Sequence, residues 1–182
     1  MRNLNAALFV SLDGVYEAPQ DWHFPYFSEE MKTVIGEAMS SSDALLMGRV
    51  TYEEWSAFWP SQSPDSSPMA AYMNQTPKFV VSATLDEVTW ENSTLLEGAV
   101  TKSVGELKAA PGDDITINGA GTLVRSLLKE GLVDELRLMI HPLTVGKGKR
   151  LFSDGDQFSL KLVEATPFSS GVIYARYAPA ES

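Results

Sequence analysis

The sequence predicts a three-layer α/β/α domain with a mostly parallel central sheet and an antiparallel hairpin at its C-terminal edge. Short apolar runs suited to buried strands alternate with segments of helical periodicity, the pattern of a sheet built by crossovers. Several of these runs end in glycine or hydroxyl residues that lead directly into a helix. The last two β-like runs are separated only by Pro167 to Gly171, a spacing that suits an antiparallel pair.

Leu4 to Leu12 reads as a buried strand that Asp13-Gly14 breaks, and Val15 to Phe27 as an aromatic-rich loop carrying Pro19 and Pro25. Ser28 is a good N-cap, Glu29 and Glu30 suit the positive end of a helix, and Met31, Val34, Ile35, Ala38 and Met39 recur at helical spacing. Ala44 to Met47 is a short buried strand that Gly48-Arg49 turns into a helix starting near Thr51, and Pro60 to Pro68 is a surface loop. Lys78 to Ser82 is a further strand. Between Asp86 and Ala110 the pattern suggests a short strand around Ala99-Val100 and a helix from Val104 to Lys108. Asp114 to Asn118 is a strand, and Leu123, Val124, Leu127 and Leu128 mark an amphipathic helix that Gly131 ends. Asp134 to Ile140 is a strand, and Phe158 to Thr166 with Val172 to Tyr177 form the hairpin.

At 182 residues the chain fits one domain spanning residues 1–182, and 44% hydrophobic with 21% charged residues is an ordinary globular balance. No apolar run is long enough to cross a bilayer, and the first residues lack the pattern of a signal peptide, so a cytoplasmic protein is expected. The absence of cysteine excludes disulfides, thiolate catalysis and Cys-bearing zinc sites, and two histidines are too few for a His-rich metal centre. No metal is expected. A net charge of −10 repels nucleic acid, so the expected partner is a small molecule held by a few local donors.

Three strand ends offer such donors. Asn118-Gly119-Ala120-Gly121-Thr122 joins a buried strand to a helix, and its glycines let backbone approach a phosphate while free helix-start amides donate to it. It is neither the Gly-x-Gly-x-x-Gly fingerprint, since Val124 stands where the third glycine would be, nor a P-loop. A plain tight turn is the bland alternative. Met47-Gly48-Arg49-Val50-Thr51-Tyr52-Glu53 places a permanent cation and a hydroxyl at a second junction, and Val81-Ser82-Ala83-Thr84 two hydroxyls at a third. Open α/β sheets bind ligands outside the carboxyl ends of their strands, so three such ends together point to a dinucleotide.

These stretches, with Ser11-Leu12-Asp13-Gly14, Val133-Asp134-Glu135-Leu136 leading to His141-Pro142, and Gly146-Lys147-Gly148-Lys149-Arg150-Leu151-Phe152, resemble the dihydrofolate reductase-like superfamily. More specifically, the chain is similar to the RibD C-terminal domain family, the reductase domain of bacterial riboflavin biosynthesis. The resemblance implies a dihydrofolate reductase-like fold, NADPH as cofactor, and the activity of a 5-amino-6-(5-phosphoribosylamino)uracil reductase. By the same resemblance, Gly48, Arg49 and Thr51 hold adenosine-side phosphates, Ser82 and Thr84 the 2′-phosphate region, and Asn118 to Thr122 the pyrophosphate. The backbone of Ala6 or Ala7 would recognise the nicotinamide carboxamide, and Asp13 is the substrate-side carboxylate and catalytic candidate.

The chain departs from these families at its substrate end. Phe27 stands where the pterin-binding carboxylate of dihydrofolate reductases would fall, and Val15 where riboflavin-pathway reductases place a basic residue. Trp22, Phe27 and His141 are the remaining substrate-side candidates: Trp22 and its neighbours are suited to stacking on a flat heterocycle. The expected reaction is hydride transfer to a small heterocycle or sugar imine. A non-catalytic nucleotide- or pterin-binding module and a purely structural homodimer are the alternatives. The hairpin residues Leu160, Leu162, Val172, Ile173, Tyr174 and Tyr177 supply apolar surface for a homodimer.

Overall fold

The computed structural model describes residues 1–180. An eight-stranded sheet is flanked by helices on both faces. In chain order the elements are β1 (Leu4–Ser11), α1 (Glu29–Ser40), β2 (Ser42–Gly48), α2 (Arg49–Phe58), α3 (Pro68–Gln75), β3 (Lys78–Val81), β4 (Ser93–Leu96), α4 (Val100–Ala109), β5 (Asp114–Asn118), α5 (Gly121–Lys129), β6 (Glu135–His141), β7 (Leu160–Pro167) and β8 (Ile173–Pro179). The sheet order is β4-β3-β2-β5-β1-β6-β8-β7. The first six of these strands pair in parallel, and the β7–β8 hairpin adds to β6 in antiparallel fashion. This is the dihydrofolate reductase-like fold that the sequence predicts.

Period-two alternation sorts the core into layers. Leu4, Ala6, Leu8 and Val10 of β1 and Ala44 and Leu46 of β2 pack with Val104 of α4 and Val124 and Leu127 of α5. On the opposite face, Leu45 and Met47 of β2 meet Tyr52 of α2 and Met73 of α3, while Met31 of α1 lies against Met139 and Tyr174. A one-residue slip of β2 would reverse both sets, so the register is strongly specified.

One expectation is corrected. Ala99-Val100 is not a strand: Ala99 is the N-cap of α4 and Val100 its first residue, and the strand of this region lies earlier, at Ser93–Leu96. As an edge strand paired only with β3, it has no need of a continuous apolar run, which hid it. Pro60 to Pro68 is the expected surface loop, with single 3-10 turns at Trp59–Ser61 and Pro64–Ser66 before Ser67 caps α3. The end of α3 is held by Lys78, fully buried on Trp90, whose ammonium donates to the carbonyls of Met73, Asn74 and Thr76 at 2.9, 3.2 and 2.8 Å. In the hairpin, Val172 and Tyr174 are buried against α1 while Leu162, Val163 and Ile173 stay exposed.

Candidate functional site

The chain leaves β2 through α2 toward β3 and leaves β5 through α5 toward β6, in opposite directions across the sheet. Adjacent strands whose connections diverge leave a crevice at their carboxyl ends. A cavity of about 530 Å³ lies there, lined by Gly48, Arg49 and Thr51 on one side and Asn118, Gly119, Ala120 and Thr122 on the other. A second depression, lined by Ser82, Ala83, Thr84, Leu96 and Gly98, shares Arg49, Val81 and Val100 with the first. The two form one groove across the ends of β5, β2, β3 and β4.

The glycine turn explains its own sequence. Gly119 and Ala120 take left-handed backbone, with φ of 65° and 52°, so the chain reverses out of β5 before α5 begins. For alanine that conformation costs of order 1 kcal/mol or more and persists only where the surroundings impose it. No side chain caps α5. The amides of its first turn are therefore left for an outside acceptor. Gly121 is required by close approach: a Cβ there would lie 2.5 Å from Cε1 of Tyr16, whose ring covers the turn. The Tyr16 hydroxyl lies 3.4 Å from Thr122 Oγ1.

Across the groove, Gly48 caps α2 with no side chain, and Thr51 is buried at its first turn. Arg49 pairs with Glu53 at 2.8 Å, an exposed i,i+4 contact worth about 0.3–0.5 kcal/mol, which a phosphate readily displaces. Ser82 accepts from the amides of Thr84 and Leu85 at 3.1 and 2.9 Å, which orders the turn after β3 and leaves its hydroxyl proton free to donate. Ala6 and Ala7 do not line the groove. Ala6 is fully buried, and the Ala7 carbonyl already accepts from Gly119 N–H at 2.9 Å.

Asp13 presents no free carboxylate. It accepts from Ser11 Oγ at 2.6 Å and from the amides of Val145 and Gly146 at 3.0 and 2.8 Å, so it clamps the segment after β6. The Ser11 hydroxyl and those amides hold its pKa at about 2. It is therefore ionised at neutral pH, as a carboxylate that orients its surroundings through accepted hydrogen bonds must be.

The other substrate-side candidates come together elsewhere, around a histidine. His23 stacks on Phe9 with ring centroids 4.7 Å apart, lies 4.2 Å from Phe24 and 6.4 Å from Phe27, and faces His141 edge-on at 6.2 Å. Trp22 packs edge-on to His141 at 5.1 Å and donates from Nε1 to the Glu17 carbonyl at 3.2 Å. Trp22 and His141 are buried, while Phe27 sits half-exposed at the rim. Nδ1 of His141 is 2.9 Å from the Met139 carbonyl and so carries the proton, which makes its buried, unpartnered Nε2 an acceptor. Nδ1 of His23 is likewise buried without a partner. Burial pushes both imidazoles below their ordinary pKa, so both are neutral at pH 7.

The structure thus gathers Gly48, Arg49, Thr51, Ser82, Thr84, Asn118, Gly119, Ala120 and Thr122 along one groove, with Gly121 buried beneath Tyr16, and Trp22, Phe27 and His141 in one aromatic cluster. Tyr16 also stands in the groove wall and His23 is the hub of the cluster, while the residues that sequence reasoning missed are Glu17 and Lys149 in the groove wall. Lys149 lies in the densest basic stretch of the chain, which was its one available signal. Among the described residues no group of acidic or histidine side chains is placed to hold a metal, and no helix is long and apolar enough to cross a membrane.

Known proteins share this fold. The family model of the RibD C-terminal domain matches residues 2–174. The uncharacterized protein YyaP of Bacillus subtilis (strain 168) is 32% identical over 97% of this chain and 94% of its own length. A protein assigned to riboflavin biosynthesis from Shewanella sp. PV-4 superposes with a TM-score of 0.80 at 22% identity, covering 98% of this chain and 99% of that one. The diaminohydroxyphosphoribosylaminopyrimidine deaminase/5-amino-6-(5-phosphoribosylamino)uracil reductase of Thermotoga maritima superposes with a TM-score of 0.69 at 14% identity, covering 98% of this chain and 57% of that protein. The chain belongs to the RibD C-terminal domain family.

Proposed function

We propose that the protein is a cytoplasmic NADPH-dependent reductase that transfers hydride to a small heterocycle or sugar imine, in the manner of a 5-amino-6-(5-phosphoribosylamino)uracil reductase. The observation that carries this reading is the single groove in which uncapped helix starts, a lightly held arginine and two hydroxyls face one another across the strand ends.

The donor set fits the cofactor. The first-turn amides of α5 and Thr122 suit the pyrophosphate, Arg49 with Ser82 and Thr84 the phosphorylated adenosine, and the Tyr16 ring the flat nicotinamide end. Bound NADPH supplies the hydride. The chain's share is to hold the dinucleotide in one orientation and to keep water away from the transfer. Asp13 fixes the segment that anchors the Tyr16 loop, and the Trp22–His23–His141 cluster supplies a rigid apolar wall with neutral imidazoles. The same reading takes the exposed Leu162, Val163 and Ile173 at the sheet edge as a homodimer contact.

Fluorescence titration with NADPH and NADP⁺ tests the cofactor half, with binding in the micromolar range expected. No binding at high micromolar concentration overturns it. NADPH oxidation across a panel of pyrimidines, pterins and sugar imines then separates a reductase from a binding module, which would bind cofactor and oxidise none.

A further inference from the structure

We propose that Lys149 is the second cation of the groove: Glu17 holds it until the nicotinamide-side phosphate of a dinucleotide takes that carboxylate's place. This rests on the cofactor reading above and adds a residue to it. Among the described residues lining the main cavity, Arg49 and Lys149 carry positive charge. Arg49 also lines the depression at the ends of β3 and β4, whereas Lys149 does not, so the two cations serve different ends of the groove.

The two are held alike. Arg49 rests on Glu53, and Lys149 Nζ lies 3.0 Å from Glu17 Oε1. Lys149 is 61% exposed and Glu17 41%, so their ion pair is weak and open to exchange. The root of the lysine is nevertheless fixed. Its amide donates to Glu17 Oε2 at 3.1 Å, and its carbonyl accepts from Tyr16 N–H at 3.0 Å. Tyr16 in turn covers Gly121 at the start of α5, so a preset backbone carries an exchangeable ammonium on the same cavity wall as the turn that would hold the phosphate. Electrostatics favour such a charge: the net charge is −10, and Glu17 and Glu54 line the same cavity, so a second cation offsets the unfavourable field that Arg49 would otherwise face alone.

The test compares K149Q, K149R and E17Q by titration with NADPH and with 2′,5′-ADP, which lacks the nicotinamide-side phosphate. K149Q is expected to weaken NADPH about tenfold and leave 2′,5′-ADP within about twofold, as loss of one charge-assisted contact requires. K149R stays near wild type. E17Q keeps an oxygen for the Lys149 amide but releases the ammonium, so it tightens NADPH about threefold by removing a competing anion. A mere structural latch gives the opposite sign for E17Q, weakening NADPH as K149Q does, and that result overturns the proposal. So does an unchanged NADPH affinity in K149Q, or an equal loss for both ligands. A wild-type protein that binds 2′,5′-ADP and NADPH equally well overturns it too, whereas one that binds neither removes the cofactor reading beneath it.

Discussion

The helices of this protein begin in two different ways. Ser28 and Ser67 accept from the amides of Met31 and Ala70 and so cap α1 and α3. The helices α2, α4 and α5 begin at Gly48, Ala99 and Ala120 with no side-chain cap. A capping serine is worth about 1 kcal/mol over alanine, so the second group forgoes stability that the first group takes. The uncapped starts are the ones that open on the groove, where Gly48, Val100 and Ala120 all line the cavity. The chain completes its helix starts where it is only building a scaffold, and leaves them incomplete where a ligand can supply the acceptor.

The harshest way to break that contrast is to fill the turn that frees the α5 amides. Gly121→Val drives a branched side chain into the Tyr16 ring and is expected to abolish NADPH binding at accessible concentrations. It should also cost about 1–3 kcal/mol by overpacking, read as a lowered denaturation midpoint.

A subtler swap exchanges the two kinds of helix start. Gly48 has ordinary backbone and its Cβ position lies 3.8 Å from the nearest atom, so aspartate fits there. Gly48→Asp should raise stability by a few tenths of a kcal/mol by capping α2, and weaken NADPH about tenfold by setting a carboxylate against the phosphate. Ser28→Ala should do the reverse, losing about 1 kcal/mol of stability with cofactor affinity unchanged. Equal effects of the two variants on binding would erase the distinction.

The mildest probe is pH. Glu30, at the capped start of α1, accepts from the Ser169 amide and hydroxyl and is held, like Asp13, at a pKa of about 2. Folded values below the ordinary carboxylate range mean that the unfolded chain takes up protons first as pH falls. Their stabilisation is therefore complete above about pH 5 and lost progressively toward pH 2. His23 and His141 are also held below 6.5, and for a base that too makes the unfolded state the better proton acceptor, so stability begins to fall as pH drops through 6.5. Urea midpoints measured from about pH 8 down to pH 3 should show both declines, and Glu30→Gln should flatten the lower one.

The strands with continuous apolar runs, such as Leu8 to Val10 and Leu45 to Met47, were legible because burial on both faces leaves one reading of the pattern. So was the ring of groove residues at the ends of β2, β3 and β5, because a parallel sheet puts all its carboxyl ends on one side. What stayed hidden depended on partners far along the chain. β4 is an edge strand that needs no apolar signature. The role of Asp13 is set by amides at Val145 and Gly146, more than 130 positions away. Nothing local in Lys149 says that its backbone will be tied to Tyr16 and brought to the groove. Composition around His23 suggested a loop, and only packing against Phe9 and His141 turns that loop into a wall.

The strand order has a last consequence. The edge strand β7 stands at the opposite end of the sheet from β4, with β8, β6 and β1 between it and the β5 end of the groove. Two copies joined along β7 would carry their grooves on the outer flanks, each behind its own stack of rigid, fully paired strands. In such an assembly neither groove would lie at the seam, and each would be built from the residues of one copy alone.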